Sequence, residues 1–338
     1  QVYKYPLGYT EDFRKPYTYT ESSADDPVTI GFFHGGRCHH FYRAYLSDRF
    51  DQAGVNTQLY TSFLNDPFRF EPVSKNFERE YARRAAERMG RVTGTVLTKM
   101  ISIGELDGAI IGEASAIMAA KQGLPIVNVA RLGHGDVDVS GFMIVMRNGL
   151  GAKTAEDLRG KTVSTRRAGP GDEVLLREYF HQAGMEAGKD YKIVAQTNDD
   201  NQHYWLKDGS IDAGSYHMYG VSKQIAREEV SLMRPMDWVP GDLPAAYLAF
   251  HKDFVRDRPD DVLRILRGLM WRLEYEKTLP EPVLLAPRQF GYVLKYFFRG
   301  TRLPHTTFPF AAERNHLQQM QDMMLRHGAM DTPVDIEP

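Results

Sequence analysis

Two stretches of this chain bring glycine and basic side chains together in a pattern that suits a small anion. The first is Phe33-His34-Gly35-Gly36-Arg37. Gly35 and Gly36 let the backbone come close to a bound group. His34 donates or accepts a hydrogen bond, and the Arg37 guanidinium grips a carboxylate or sulfonate through two parallel bonds. The second is Thr165-Arg166-Arg167-Ala168-Gly169-Pro170-Gly171-Asp172. Gly169 and Gly171 leave backbone amides accessible, Pro170 or Gly171 suits a helix start, and Asp172 suits a cap. At most one of Arg166 and Arg167 faces a bound group, because neighbouring side chains on an extended strand point opposite ways. The loop resembles a phosphate cradle but lacks the Gly-Lys-Ser/Thr ending of a nucleotide-binding loop, so a small oxyanion suits it better. Each stretch also has a plainer reading, a tight turn beside solvated charges.

Two further segments are candidates. Gly112-Glu113-Ala114-Ser115 ends a strand and opens a helix. Ser115 or Glu113, with Gly112 beside them, touches a ligand there, or the turn simply starts the helix. In Tyr216-His217-Met218-Tyr219-Gly220, the rings of Tyr216 and Tyr219 suit stacking on a planar ligand, with His217 beside them, and equally suit packing between a strand and a helix. Trp238 is a candidate lid. His39 and His40 lie close to His34, but histidines at one helix start with no carboxylate beside them match zinc poorly. No nucleophile elbow, zinc pair or suitably spaced carboxylate dyad stands out. The sequence therefore assigns no catalytic residue, metal ligand or cofactor.

The bulk composition narrows the classes. The chain has 338 residues, enough for two domains of ordinary size. Hydrophobic residues make up 42% and charged residues 25%, an ordinary globular mixture. Lys+Arg is 42 against Asp+Glu 44, a formal charge of -2, which gives no basic face for nucleic acid. No apolar run approaches the roughly 20 residues of a membrane span. Cys38 is the single cysteine, so an internal disulfide and a cysteine-based zinc site are excluded.

The elements that must position these loops read as alternating strands and helices. After an N-terminal arm over residues 1–27, strands are predicted over 28–33, 55–60, 107–111, 125–130, 141–146, 161–165, 191–195, 211–216, 230–233 and 245–250. Helices are predicted around 41–50, 77–89, 114–121, 172–183, 260–277 and 313–326. Such alternation predicts α/β layers with largely parallel sheets. A weak internal echo runs through the list. Gly104-Glu105-Leu106-Asp107 and Gly209-Ser210-Ile211-Asp212 each precede small residues and a strand, which favours two similar lobes. A local reading, a helix stop followed by an Asp turn, serves either copy alone.

In their order these phrases resemble a known family. Gly151-Ala152-Lys153-Thr154-Ala155-Glu156-Asp157-Leu158-Arg159-Gly160-Lys161-Thr162-Val163 is similar to the phrase that leads into the second lobe of ABC-transporter solute-binding proteins. The paired Gly-x-Leu/Ile-Asp phrases, Gly123-Leu124-Pro125-Ile126-Val127, and the closing stretch from Gly328 to Asp335 fit the same branch. That branch comprises the nitrate, sulfonate, taurine and thiamine-pyrimidine-precursor binding proteins, and the likeness covers Pro27 to Pro338. The proline-containing ligand loop that family members often carry near Tyr216 is missing here.

The resemblance implies an α/β, two-lobe periplasmic-binding-protein fold (type II-like), with mixed sheets flanked by helices and two crossing strands, at Gly141–Arg147 and Pro244–His251. It divides the chain into the first part of lobe one at 28–139, lobe two at 140–235, and the return to lobe one with C-terminal helices at 236–338. It also implies a monomer without a membrane span. Such a protein would be periplasmic or at the extracellular face, with lipid anchoring before processing as one option. It would capture a small anionic or planar ligand and hand it to an ABC transporter permease. Two alternatives stand beside it, a ligand-sensing clamshell and an enzyme of the thiamine-pyrimidine synthase type. The enzyme type needs a cysteine-rich segment, which a chain with Cys38 alone does not have.

Overall fold

The computed structural model describes residues 3–4, 26–32, 39–61, 69–75, 93–132, 142–165, 169, 171–195, 202–217, 230–234, 246–277 and 314–336. Through them the chain runs β1 (Tyr3–Lys4), β2 (Val28–Gly31), α1 (His39–Leu46), α2 (Arg49–Gln52), β3 (Thr57–Thr61), β4 (Arg69–Pro72), α3 (Gly94–Ser102), β5 (Gly108–Gly112), α4 (Glu113–Lys121) and β6 (Ile126–Leu132). It continues through β7 (Phe142–Arg147), β8 (Thr162–Thr165), α5 (Asp172–Gln182), β9 (Lys192–Ala195), α6 (Gln202–Asp208), β10 (Ala213–His217), β11 (Val230–Arg234), β12 (Ala246–His251), α7 (Lys252–Asp257), α8 (Pro259–Lys277) and α9 (Arg314–Arg326). None of the described helices is long and apolar enough to cross a membrane.

The strands form two sheets, ordered β1-β4-β3-β2-β5-β12-β6 and β11-β7-β10-β8-β9. In the first, β2 is parallel to β3 and β5. In the second, β8 is parallel to β9 and β10. A reversed strand then follows in each: β12 is antiparallel to β5 and β6, and β7 is antiparallel to β10 and β11. The sets β3-β2-β5-β12-β6 and β9-β8-β10-β7-β11 are therefore one arrangement built twice. The sheets are mixed, where strand–helix alternation alone predicts largely parallel ones. The reason is chain path: β7 and β12 each enter their sheet from the other sheet, and no βαβ crossover dictates their direction. The connections at 133–141 and 235–245 lie outside the described residues.

The internal echo has a physical basis. Gly104 and Gly209 follow α3 and α6 with φ of 78° and 82°, the left-handed conformation that stops a helix at little cost to glycine. Leu106 and Ile211 are then buried. The Asp107 carboxylate accepts from the Thr29 amide at 2.8 Å and the Thr29 hydroxyl at 2.9 Å. The Asp212 carboxylate accepts from the Thr162 amide at 2.9 Å and from Arg147 Nε at 2.9 Å. Each aspartate thus ties the start of one parallel strand to its neighbour, β5 to β2 and β10 to β8.

Two cores result. One lies between the first sheet and α1, α2, α7 and α8, with Val28, Ile30, Phe41, Tyr45, Phe50, Leu248, Phe254, Ile265 and Leu269 inside it. The other covers the opposite face of the first sheet with α3 and α4 and continues without a break into Ile144, Val163 and the buried face of α5. Helix α9 sits in this shared core through Leu317, Met320, Met323 and Met324. Burying each such side chain contributes about 1.5–3 kcal/mol.

Candidate functional site

The candidate loops belong to the carboxyl ends of the parallel strands. In both sheets the chain leaves the central strand, β2 or β8, toward one side and reaches the third, β5 or β10, on the other. Adjacent strands whose connections diverge leave a crevice at their carboxyl ends, and open α/β sheets bind ligands there. Strand β2 ends with the Phe32 amide donating to Tyr60 O and the Thr61 hydroxyl donating to Phe32 O at 2.8 Å, which fixes where the chain departs.

At the end of β5 there is no loop: Gly112 is the last strand residue and also the cap position of α4, with extended backbone at φ -84°, ψ 163°. Gly112, being glycine, offers α4 no side-chain cap of its own. Helix α3 starts directly against this turn. Thr93 caps it by accepting from the Val96 amide. A Cβ added at Gly94 would stand 2.1 Å from Ser115 Oγ, 2.7 Å from Ser115 Cβ and 3.6 Å from the Gly112 nitrogen. Only glycine permits this approach, which sets the first turns of α3 and α4 side by side.

The second sheet brings a third helix start to the same place. Gly171 occupies the cap position of α5, again with no side-chain cap. A Cβ built on it would lie 4.0 Å from Cβ of Ala114, in the first turn of α4. The N-termini of α4 and α5, one from each sheet, are thus in near contact, with α3 beside them. The first turns of three helices, with the positive ends of their dipoles, gather at one seam, an arrangement that favours a ligand with acceptor atoms.

Acidic side chains temper that field. Glu113 and Asp172 are the first residues of α4 and α5 and both are buried. Each favours its own helix dipole. Glu173 turns back to accept from the Gly169 amide at 3.3 Å, and its other oxygen is held by Arg177 Nε and Nη2 at 2.9 and 2.7 Å. A purely anionic ligand at this seam needs additional positive charge.

The sequence candidates divide as follows. Gly112, Glu113, Gly171 and Asp172 come together across the two sheets, and Gly169 stands just before them with φ +114°. Asp172 is a correction in one respect. It is the first helical residue, not the cap, because Gly171 carries the non-helical backbone (φ -94°, ψ -88°). Tyr216 and His217 are the last residues of β10, opposite Met143 and Phe142 of β7, so any loop there starts after them. His34, Gly36, Arg37, Arg166, Arg167, Tyr219 and Trp238 lie outside the described residues. Sequence reasoning missed Thr93 and Gly94. The Thr-Gly pair before an apolar run was an available capping signal.

The two-sheet topology defines the class: this is a periplasmic-binding-protein fold. It is similar to a putative sulfonate ABC transporter's periplasmic sulfonate-binding protein SsuA from Methylobacillus flagellatus, with TM-score 0.62 and 14% identity over 92% of this chain and 89% of that one. The periplasmic aliphatic sulphonate binding protein SsuA from Escherichia coli gives 0.59 and 15% over 92% and 90%. The periplasmic nitrate-binding protein NrtA from Synechocystis gives 0.62 and 14% over 90% and 82%. No curated protein matches by sequence. Residues 93–280, more than half of the chain, match the NMT1/THI5-like family, and the chain belongs to that family.

Proposed function

We propose that this protein is an extracytoplasmic solute-binding protein of an ABC importer. It holds a small anionic or planar organic ligand between two lobes, each built on one sheet, and passes it to a membrane permease. The observation that carries the reading is the meeting of α4 and α5 at Ala114 and Gly171, one helix N-terminus from each sheet at the carboxyl ends of parallel strands. A ligand there touches both sheets at once, so binding favours their closure. In this reading Arg37 and one of Arg166 and Arg167, all outside the described residues, supply the positive charge that a purely anionic ligand needs beside Glu113 and Asp172. The ligands of the structural neighbours, sulfonates and nitrate, are consistent with an acceptor-rich solute.

The finer points belong to the same proposal: periplasmic location, a monomeric state, a permease partner, and no turnover. A thermal-shift panel of alkanesulfonates, nitrate, small carboxylates and aminopyrimidines tests it, since a ligand that binds only the folded state raises the melting temperature. One or more members should raise it in a saturable way. The same compound incubated with the protein should return unchanged by mass spectrometry. Product accumulating in proportion to protein would favour the enzyme reading instead.

A further inference from the structure

Helix α9 and the chain that follows it touch both sides of the ligand seam at the end opposite the ligand. Helix α9 packs against α4 on one side and α5 on the other. On the α5 side, the buried Glu178 carboxylate accepts from Arg326 Nη1 at 2.8 and 2.7 Å and from His327 Nε2 at 2.8 Å. His181, one turn on, meets the His327 ring edge-on at 5.6 Å. On the α4 side, Lys121, the last helical residue, pairs with Asp331. Between these anchors, the Gln321 side-chain amide donates to Val334 O at 3.1 Å and accepts from the Val334 amide at 2.8 Å, holding the tail against α9. Met320, Met323, Met324, Met330 and Ile336 fill the core that the two sheets share.

We propose that α9 and residues 327–336 form a strap that joins α4 to α5 and sets the ligand-free separation of their N-termini at the ligand seam. Glu178 is its positioning residue on one side, and the Lys121–Asp331 pair anchors the other. The proposal rests on the solute-binding reading for its consequence, but the strap is defined without a ligand. Glu178 is buried and its carboxylate is held by Arg326 and His327 of the strap, so removing those side chains leaves a buried charge poorly compensated. The carboxylate can only accept, so His327 donates from Nε2 in its neutral form.

The strap should respond to acid. Burial pushes the His327 pKa below its ordinary value, and neighbouring His181 and Arg326 add to that, against the pull of Glu178. Burial pushes Glu178 up, but the hydrogen bonds and charges of His327 and Arg326 outweigh it and hold the carboxyl low. Lys121 holds Asp331 low as well. All three values are depressed in the folded state, so the strap is complete above about pH 6.5 and weakens as pH falls, first through His327 and then through the carboxylates.

The test uses the full chain with Cys38→Ser and fluorescent labels at Asn56→Cys and Lys189→Cys, both exposed and one in each unit. The label-to-label distance distribution is recorded without ligand from about pH 8 to about pH 5.5, the range in which histidine titrates. The parent should be narrow at the alkaline end and broaden toward acid. Glu178→Gln should be broad throughout. His327→Gln, which keeps a neutral donor, should stay narrow and lose the pH step. If Glu178→Gln fails to fold, the surface pair Lys121→Met with Asp331→Ala decides, and it should broaden the distribution. Parent-like distributions in all folded variants at every pH would overturn the strap. Broadened variants of a parent that binds none of the alkanesulfonates, nitrate, carboxylates or aminopyrimidines would leave the strap standing and sink the solute-binding reading.

Discussion

Gly94 matters through what it lacks. Ser115 occupies the space its side chain would need, so Gly94→Ala must push α3 away from α4 or force Ser115 off its rotamer. Overpacking of this kind costs about 1–3 kcal/mol, read as a lower urea midpoint, and pairing it with Ser115→Gly should recover most of the loss. A single mutant as stable as the parent would show that the two helix starts do not pack as described. The two echo aspartates make a second case. Asp107→Ala leaves the Thr29 amide and hydroxyl without their acceptor, and Asp212→Ala does the same to the Thr162 amide and Arg147. Each should cost about 1–3 kcal/mol in chemical denaturation. Asp212 also carries a pH signature. Burial raises its pKa, but the Thr162 amide and Arg147 outweigh that and hold it low, so its contribution is present above the ordinary carboxylate range and lost as pH falls through the depressed value. The two arginines at 166 and 167 extend the account to the ligand. The proposed function has one of them reach the ligand, so one of the two Ala variants should weaken binding about ten- to a hundredfold by calorimetry, the worth of one charge-assisted bond, and the other should matter little.

Among the elements, those with a strong local signature were legible in the sequence. Strands β2, β5, β8 and β12 are short buried runs bounded by glycine or loop residues, and α5, α8 and α9 repeat apolar residues at helical spacing. Helix α3 was not read. Its Gly-Thr-Val-Leu-Thr-Lys-Met-Ile-Ser composition is β-branched and opens on glycine, and burial of Val96, Leu97, Met100 and Ile101 overrides that weak propensity. Helix α6 and strand β4 were too short for a period to show. Strand–helix alternation alone misjudges strand direction, which the family resemblance gave as mixed, because alternation reports neighbours in sequence, whereas β7 and β12 are placed by the passage between sheets. Helix α9 shows how much a late element can hold. Met320 is fully buried in the shared core, so Met320→Ala should cost about 2–5 kcal/mol in denaturant unfolding. A loss below about 1 kcal/mol would mean that α9 lies on a surface and does not join the two sheets.

In the molecule as a whole, the candidate site draws one helix start from each of two copies of one strand arrangement. Gly112–Glu113 and Gly171–Asp172 were each visible as strand-to-helix turns, but nothing local says that they meet. That fact comes from the tertiary path, through Gly171 against Ala114. The central claim is that one small ligand bridges the first turns of α4 and α5. Hydrogen exchange tests it most directly, with the panel compound that gives the largest thermal shift as the probe. Amides of residues 113–116 and 172–175 should slow together on binding, since both helix starts donate to the ligand and both are shielded when the sheets close. Protection confined to one of the two helix starts, or absent from both in a saturated complex, would contradict the account.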